Sequence, residues 1–167
     1  IGLANLLLEE GRDEEVISLS KKALSIDDRN TQAYTLIGEV YLRKEEPDKA
    51  LPYLEKALEI QPKITRNQFN LALCLAGLKQ YDRAEILLQE VLNDYPRFPL
   101  ANYHLGLLYE EQGKLAEAQQ AYEKEIEYYP HHFRARFNLG KILLARGDFT
   151  GYMQQMEKVI ELAPEEA

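Results

Sequence analysis

Residues 31–64 read TQAYTLIGEVYLRKEEPDKALPYLEKALEIQPKI, and the same pattern returns in residues 65–98, 99–132 and 133–166. With each copy numbered 1 to 34, column 7 holds Ile37, Leu71, Leu105 and Leu139, and column 28 holds Leu58, Leu92, Ile126 and Ile160. A shortened copy, residues 1–30, stands before them in phase, with Leu3 in column 7 and Leu24 in column 28. A period of this length made of two apolar-periodic halves belongs to stacked helical hairpins, none of which can bury its apolar face alone.

The other columns act as punctuation. Column 8 is small in every copy (Ala4, Gly38, Ala72, Gly106, Gly140), as a site must be where two helix backbones cross closely. Column 20 is Ala50, Ala84 and Ala118 in the middle copies. Column 32 is Pro62, Pro96, Pro130 and Pro164, and a proline there cannot continue the preceding helix. These marks predict ten helices, near residues 1–10, 13–26, 31–44, 47–60, 65–78, 81–94, 99–112, 115–128, 133–146 and 149–162. Each full helix is then about 20 Å long at the usual rise.

The Leu-Gly pair, the aromatic spacing, Ala in column 20 and Pro in column 32 together resemble the tetratricopeptide repeat. In the second copy the match runs Tyr34, Ile37-Gly38, Tyr41, Ala50, Leu54, Ala57, Pro62, and in the fourth Leu105-Gly106, Tyr109, Ala118, Tyr122, Pro130. It covers the whole chain. The resemblance implies an all-α fold, a single right-handed α-solenoid of antiparallel helix pairs over residues 1–167, with a concave groove that faces ligands.

Composition bounds the function. A hydrophobic content of 46% over 167 residues suffices for the continuous core of a short repeat array. A formal net charge of −8 argues against non-specific binding to nucleic acid or an anionic membrane. Much of the acidity, including Glu55, Glu90, Glu123 and Glu157, falls on the outer face of the second helices. No apolar run reaches transmembrane length, and no signal or transit segment is visible. The single cysteine, Cys74, excludes an intramolecular disulfide or a cysteine-rich metal site, and column 10 predicts it buried. The chain opens at Ile1 in column 5 without a methionine and stops at Ala167 in column 1, which reads as a fragment of a longer protein.

In the resembled family, columns 2, 5, 6, 9 and 12 of the first helix line the groove. Carried onto this chain, column 2 gives Arg66, Leu100 and Arg134, column 5 gives Phe69, Tyr103 and Phe137, column 6 gives Asn70, His104 and Asn138, and column 9 gives Leu73, Leu107 and Lys141. Copies three to five thus offer an aromatic stripe beside a polar ladder, which the first two copies do not, with Ile1, Gly2 and Asn5 and then Thr35, Leu36 and Glu39. An asparagine amide pairs a peptide main chain whatever its sequence, and aromatic rings add apolar area at low entropic cost. Arg66, Arg134 and Lys141, with Lys63, Arg97 and His131 in the turns, face only Glu110 and Glu111 there, which favours an acidic or extended protein or peptide partner. The lysine, asparagine and arginine set with which some family members clamp a C-terminal carboxylate is matched by no window of this chain.

Support for catalysis is thin. His104 and the His131-His132 pair form no metal-ligand spacing, and Gly11, Gly113 and Gly147 mark turns within the repeats rather than a phosphate loop. No catalytic residue, metal or cofactor is expected. Two positions break the pattern. Glu125 stands in column 27, which the other copies fill with Ala23, Ala57, Val91 and Val159, so it should be at least partly buried and either find a partner, with Tyr152, Arg134 or Arg136 as candidates, or extend its carboxylate to solvent. Tyr152 itself stands where column 20 carries alanine.

The reading that follows is a non-catalytic interaction module holding an extended partner segment in the groove of copies three to five. Alternatives are the accessory array of a larger enzyme, as in glycosyltransferases bearing such repeats, and a self-assembling scaffold. The last helix, with Met153, Met156, Val159, Ile160 and Leu162, carries more apolar residues than one neighbouring helix covers, so a further repeat, a second copy of the chain or a partner chain is expected to cover the rest, any such association being weak.

Overall fold

The computed structural model describes residues 2–163; Ile1, Pro164 and the last three residues, to which the groove, the column-32 and the terminal readings extend, lie outside them. Ten α-helices follow one another: α1 (Gly2–Glu9), α2 (Asp13–Ile26), α3 (Thr31–Arg43), α4 (Pro47–Ile60), α5 (Thr65–Gly77), α6 (Tyr81–Asp94), α7 (Ala101–Glu111), α8 (Leu115–Tyr128), α9 (Phe133–Ala145) and α10 (Phe149–Leu162). The described residues contain no strand.

One device closes the first helix of all five copies. The column-16 amide donates five residues back (Arg12 to Leu7, Glu46 to Tyr41, Gln80 to Leu75, Lys114 to Tyr109, Asp148 to Leu143), all at 2.8 to 2.9 Å. The column-15 residue between takes a left-handed backbone, as this helix-ending motif requires. Glycine fills it at Gly11 (φ 74°), Gly113 (φ 71°) and Gly147 (φ 81°), whereas Glu45 (φ 57°) and Lys79 (φ 59°) adopt it despite their Cβ. Because the motif begins at column 14, the first helices end a residue or so before the positions expected from periodicity.

Within a hairpin, column 8 of the first helix lies under column 24 of the second. A Cβ built at Gly38 would come within 3.0 Å of the Leu54 side chain, one at Gly106 within 3.0 Å of the Tyr122 ring, and one at Gly140 within 3.0 Å of Met156. Ala50, Ala84 and Ala118 of column 20 are fully buried, as expected of a close crossing.

The described residues form two compact units, up to Val91 and from Leu92 onward, divided inside α6. In the first unit, Ala4, Leu7, Val16, Leu36 and Val40 form a core cluster, and Ala57, Leu71, Leu75 and Leu88 are buried as well. Cys74 is buried here, its thiol donating to the Pro47 carbonyl at 3.2 Å. Burial, and secondarily the carboxylates of Glu55 and Asp48, push that thiol up to about 11. In the second unit, Ala118, Tyr122, Ala135, Leu139 and Ile142 form the core, with Tyr103, Leu107 and Ile126 packed on it.

α7 departs from the period. It starts at Ala101 rather than 99, because Leu100 before it is left-handed at φ 66°. No side chain of the N-cap residue serves its first turn. Instead the Tyr103 amide donates to Glu125 Oε2 at 3.3 Å, a carboxylate delivered from the partner helix of the same hairpin.

Candidate partner-binding site

Each unit carries a recess built from the first helices of its copies. In the second unit Tyr103 of α7, Phe133, Arg134, Phe137 and Asn138 of α9 and Val159 of α10 enclose about 280 Å³. Four of these, Tyr103, Arg134, Phe137 and Asn138, are residues that the columns assign to a groove. Phe137 is exposed, and the Arg134 guanidinium lies 5.6 Å from the centre of the Phe133 ring with no carboxylate partner among the described residues. The Asn138 amide donates to the Tyr122 hydroxyl at 3.3 Å, and that hydroxyl donates to Glu110. Burial, then the Glu110 contact, raises the Tyr122 phenol well above the ordinary tyrosine range.

Tyr103 is the best-anchored wall of this recess. Its ring meets His132 edge-on at 4.6 Å between centres, His104 at 5.4 Å and Tyr122 at 5.9 Å. Glu125 supports the arrangement from beneath. It is fully buried, as column 27 requires, but its partner is none of Tyr152, Arg134 and Arg136. His132 Nδ1 lies 3.1 Å from Glu125 Oε1, and the other oxygen takes the Tyr103 amide. Arg136 turns instead to the Pro130 carbonyl and Gln155. The missed signal was His132 in column 34, a turn position that the hairpin folds back under column 27. Burial lifts the Glu125 carboxyl, against the opposing pull of His132 and the Tyr103 amide. Burial also lowers His104 to about 4, with His132 adding to it.

The remaining groove residues divide. Leu107 packs against the core of the second unit, and Lys141 is exposed with Nζ 3.5 Å from Glu110. Leu73 is half-buried. Phe69 and Asn70, read from their columns as groove-facing, are buried in the first unit. Asn70 donates to Glu39 Oε1 at 2.6 Å, and Arg66 holds the same carboxylate through two bonds of 2.6 and 2.7 Å. Column numbers alone hid this, because Glu39 comes from the preceding copy. Arg66 and Lys141 are therefore already paired, and of the three only Arg134 has no carboxylate partner among the described residues.

The first unit also holds a recess, of about 290 Å³, where the columns offered little. Asn5 of α1, Thr31, Thr35, Leu36 and Glu39 of α3, Ile64 before α5, and Arg66 and Asn67 of α5 line it. Most residues around it are polar by type, whereas three aromatic rings line the recess of the second unit. Among the described residues no group of three or more His, Cys, Asp or Glu side chains could hold a metal ion, and no helix is long and apolar enough to cross a membrane.

No curated protein matches the sequence. Solved structures do. MamA superposes with a TM-score of 0.83 at 22% identity, covering 99% of this chain and 97% of that one. PilF of Pseudomonas aeruginosa gives a TM-score of 0.88 at 23% identity, over 97% of this chain and 74% of that one. YrrB, described as a TPR protein with an unusual peptide-binding site, gives 0.74 at 27% identity, over 99% and 85%. Tetratricopeptide repeat profiles match residues 31–97 and 103–167. With two profiles in phase with the 34-residue period and an all-α helical-repeat fold, the chain belongs to the tetratricopeptide repeat family and is a protein-interaction module, on a fold that typically serves as a non-catalytic scaffold.

Proposed function

We propose that the chain binds an extended, acidic segment of a partner protein, and that the recess of the second unit receives a bulky apolar side chain of that segment. The observation that supports this is the wall itself: Tyr103, Phe133 and Phe137 around about 280 Å³, with Arg134, which has no carboxylate partner among the described residues, at the edge and the Asn138 amide within. Aromatic walls supply apolar contact, and such a guanidinium beside them favours a neighbouring carboxylate. The likeness to YrrB, whose description includes a peptide-binding site, supports the same reading.

A displayed library of random peptides, selected on the 167-residue chain, tests it. The expected yield is peptides pairing Asp or Glu with a bulky apolar residue, binding at least tenfold more weakly to a Phe137→Ala, Arg134→Glu double variant. Selected peptides indifferent to both changes would sink the reading. Weak self-association is a second reading, favoured by the exposure of Phe149, Met153 and Ile160 on α10.

A further inference from the structure

Asn67 occupies column 3 of the third copy, where the second, fourth and fifth carry Ala33, Ala101 and Ala135, all fully buried. Its side chain is buried too, at 2% exposure, so a polar amide stands where the repeat uses a methyl group. The Thr35 hydroxyl lies 2.7 Å from Asn67 Oδ1 and 3.0 Å from the Thr31 carbonyl. A hydroxyl has one proton to give. If it goes to Asn67, Nδ2 is left without a partner among the described residues. With the amide turned over, Nδ2 donates to Thr35 and the Thr35 proton serves Thr31, and the unmatched end then carries Oδ1. Either orientation leaves one polar end of a buried amide unmatched, at a cost that alanine does not carry.

Asn67 lines the recess of the first unit. Leu36 and Ile64 give that recess its apolar surface, and Thr31 and Thr35 its hydroxyls. Arg66 and Glu39 sit together at its wall, each answering the other's charge, so the recess is close to neutral. The column-6 asparagines differ from Asn67, because the Asn70 amide already donates to Glu39 and the Asn138 amide to the Tyr122 hydroxyl.

We infer that this recess, separate from the one in the second unit, binds an amide group of a partner, and that Asn67 is the residue that recognises it. An amide carries a donor and an acceptor, so it matches the unpartnered end of Asn67 in either orientation; that end is closed over at rest, so an amide reaches it by parting the side chains above it. A carboxylate brings no donor and meets Glu39, and an ammonium brings no acceptor and meets Arg66. The amide can belong to a peptide main chain or to an Asn or Gln side chain.

Nuclear magnetic resonance on the 167-residue chain decides it, with three blocked tripeptides as probes: acetyl-Gly-Gln-Gly-amide, acetyl-Gly-Met-Gly-amide and acetyl-Gly-Glu-Gly-amide. Saturable shifts of the Asn67 side-chain amide signals are expected with the Gln peptide. Equal shifts with the Met peptide assign the site to main-chain amides, and none with Met assigns it to the side chain. Asn67→Ala restores the column residue, so that variant should melt no lower than the parent while binding the Gln peptide at least tenfold more weakly. A lower melting point with unchanged binding would show that Asn67 only braces Thr35, and the inference falls. It falls equally if the Glu peptide alone binds or if none does. As a readout free of mutation, a nitroxide on the Gln peptide should broaden the Thr35 and Leu36 methyl signals. Broadening only of Val159 and the Phe137 ring would overturn this inference and leave the reading of the second unit standing.

Discussion

At the scale of single residues, the positions that matter most are those where one side chain breaks its column. Gly106 keeps its column and shows why the column exists: replacement by leucine drives a branched side chain into the Tyr122 ring, and a loss of roughly 1 to 3 kcal/mol is expected from urea unfolding. Glu45 and Lys79 hold left-handed backbones that their neighbours in column 15 give to glycine. Replacing either by glycine should therefore raise stability by up to about 1 kcal/mol, against the usual loss on introducing glycine. Unchanged or lower urea midpoints for both variants would contradict that. His104 gives a pH dependence. Its imidazole titrates near 4 in the fold but near the ordinary 6.5 in the unfolded chain, which therefore takes up the proton first on acidification. Stability from this residue is full above pH 6.5 and is lost as the pH falls toward 4, by on the order of 3 kcal/mol at most. Glu125, raised by burial, acts in the opposite sense, so the comparison to make is with His104→Asn, the residue that column 6 carries in two other copies. If the variant loses stability as steeply as the parent between pH 6.5 and 4, the assignment to His104 is wrong.

At the scale of elements, the sequence was legible wherever a helix depends on its own copy. Periodicity and column-32 prolines place α2, α4, α6, α8 and α10 at their observed bounds. Legibility fails where one copy supplies something to another element. α7 starts late because Leu100 turns left-handed and Glu125 reaches its first turn from α8. Asn70 looked exposed because Glu39 belongs to α3. The recess of the first unit was missed because its decisive residue, Asn67, lies in a column reserved for packing. Capping is likewise uneven. Asn30 accepts the Ala33 amide at 3.0 Å at the start of α3, whereas Ile64 at the same place before α5 offers no cap. Asn30→Ala should cost about 1 kcal/mol without altering the dependence of unfolding on urea. A change of less than about 0.3 kcal/mol would show that solvent replaces the cap freely.

At the scale of the whole molecule, the repeat leaves characteristic surfaces at each end. Column 7 is buried at Ile37, Leu71, Leu105 and Leu139 but is 59% exposed at Leu3, and column 10 behaves alike at Leu6. On α10, Phe149, Met153 and Ile160 stand open, whereas Met156 is partly covered over Gly140. Sedimentation across concentration should show weak association that Met153→Gln with Ile160→Gln reduces; sedimentation as a monomer at every concentration, for parent and variant alike, would remove the self-association reading. The two units can also be followed separately in time. Cys74 is the sole thiol, lies in the first unit, and is sealed under the Pro47 carbonyl. A thiol reagent reaches it when α4 and α5 part, so the labelling rate in native buffer is a clock for excursions of that unit. The second unit contains no sulfhydryl and does not register on it. A ligand seated in the recess of the first unit should therefore slow the clock, and one confined to the second should leave it running at its own pace.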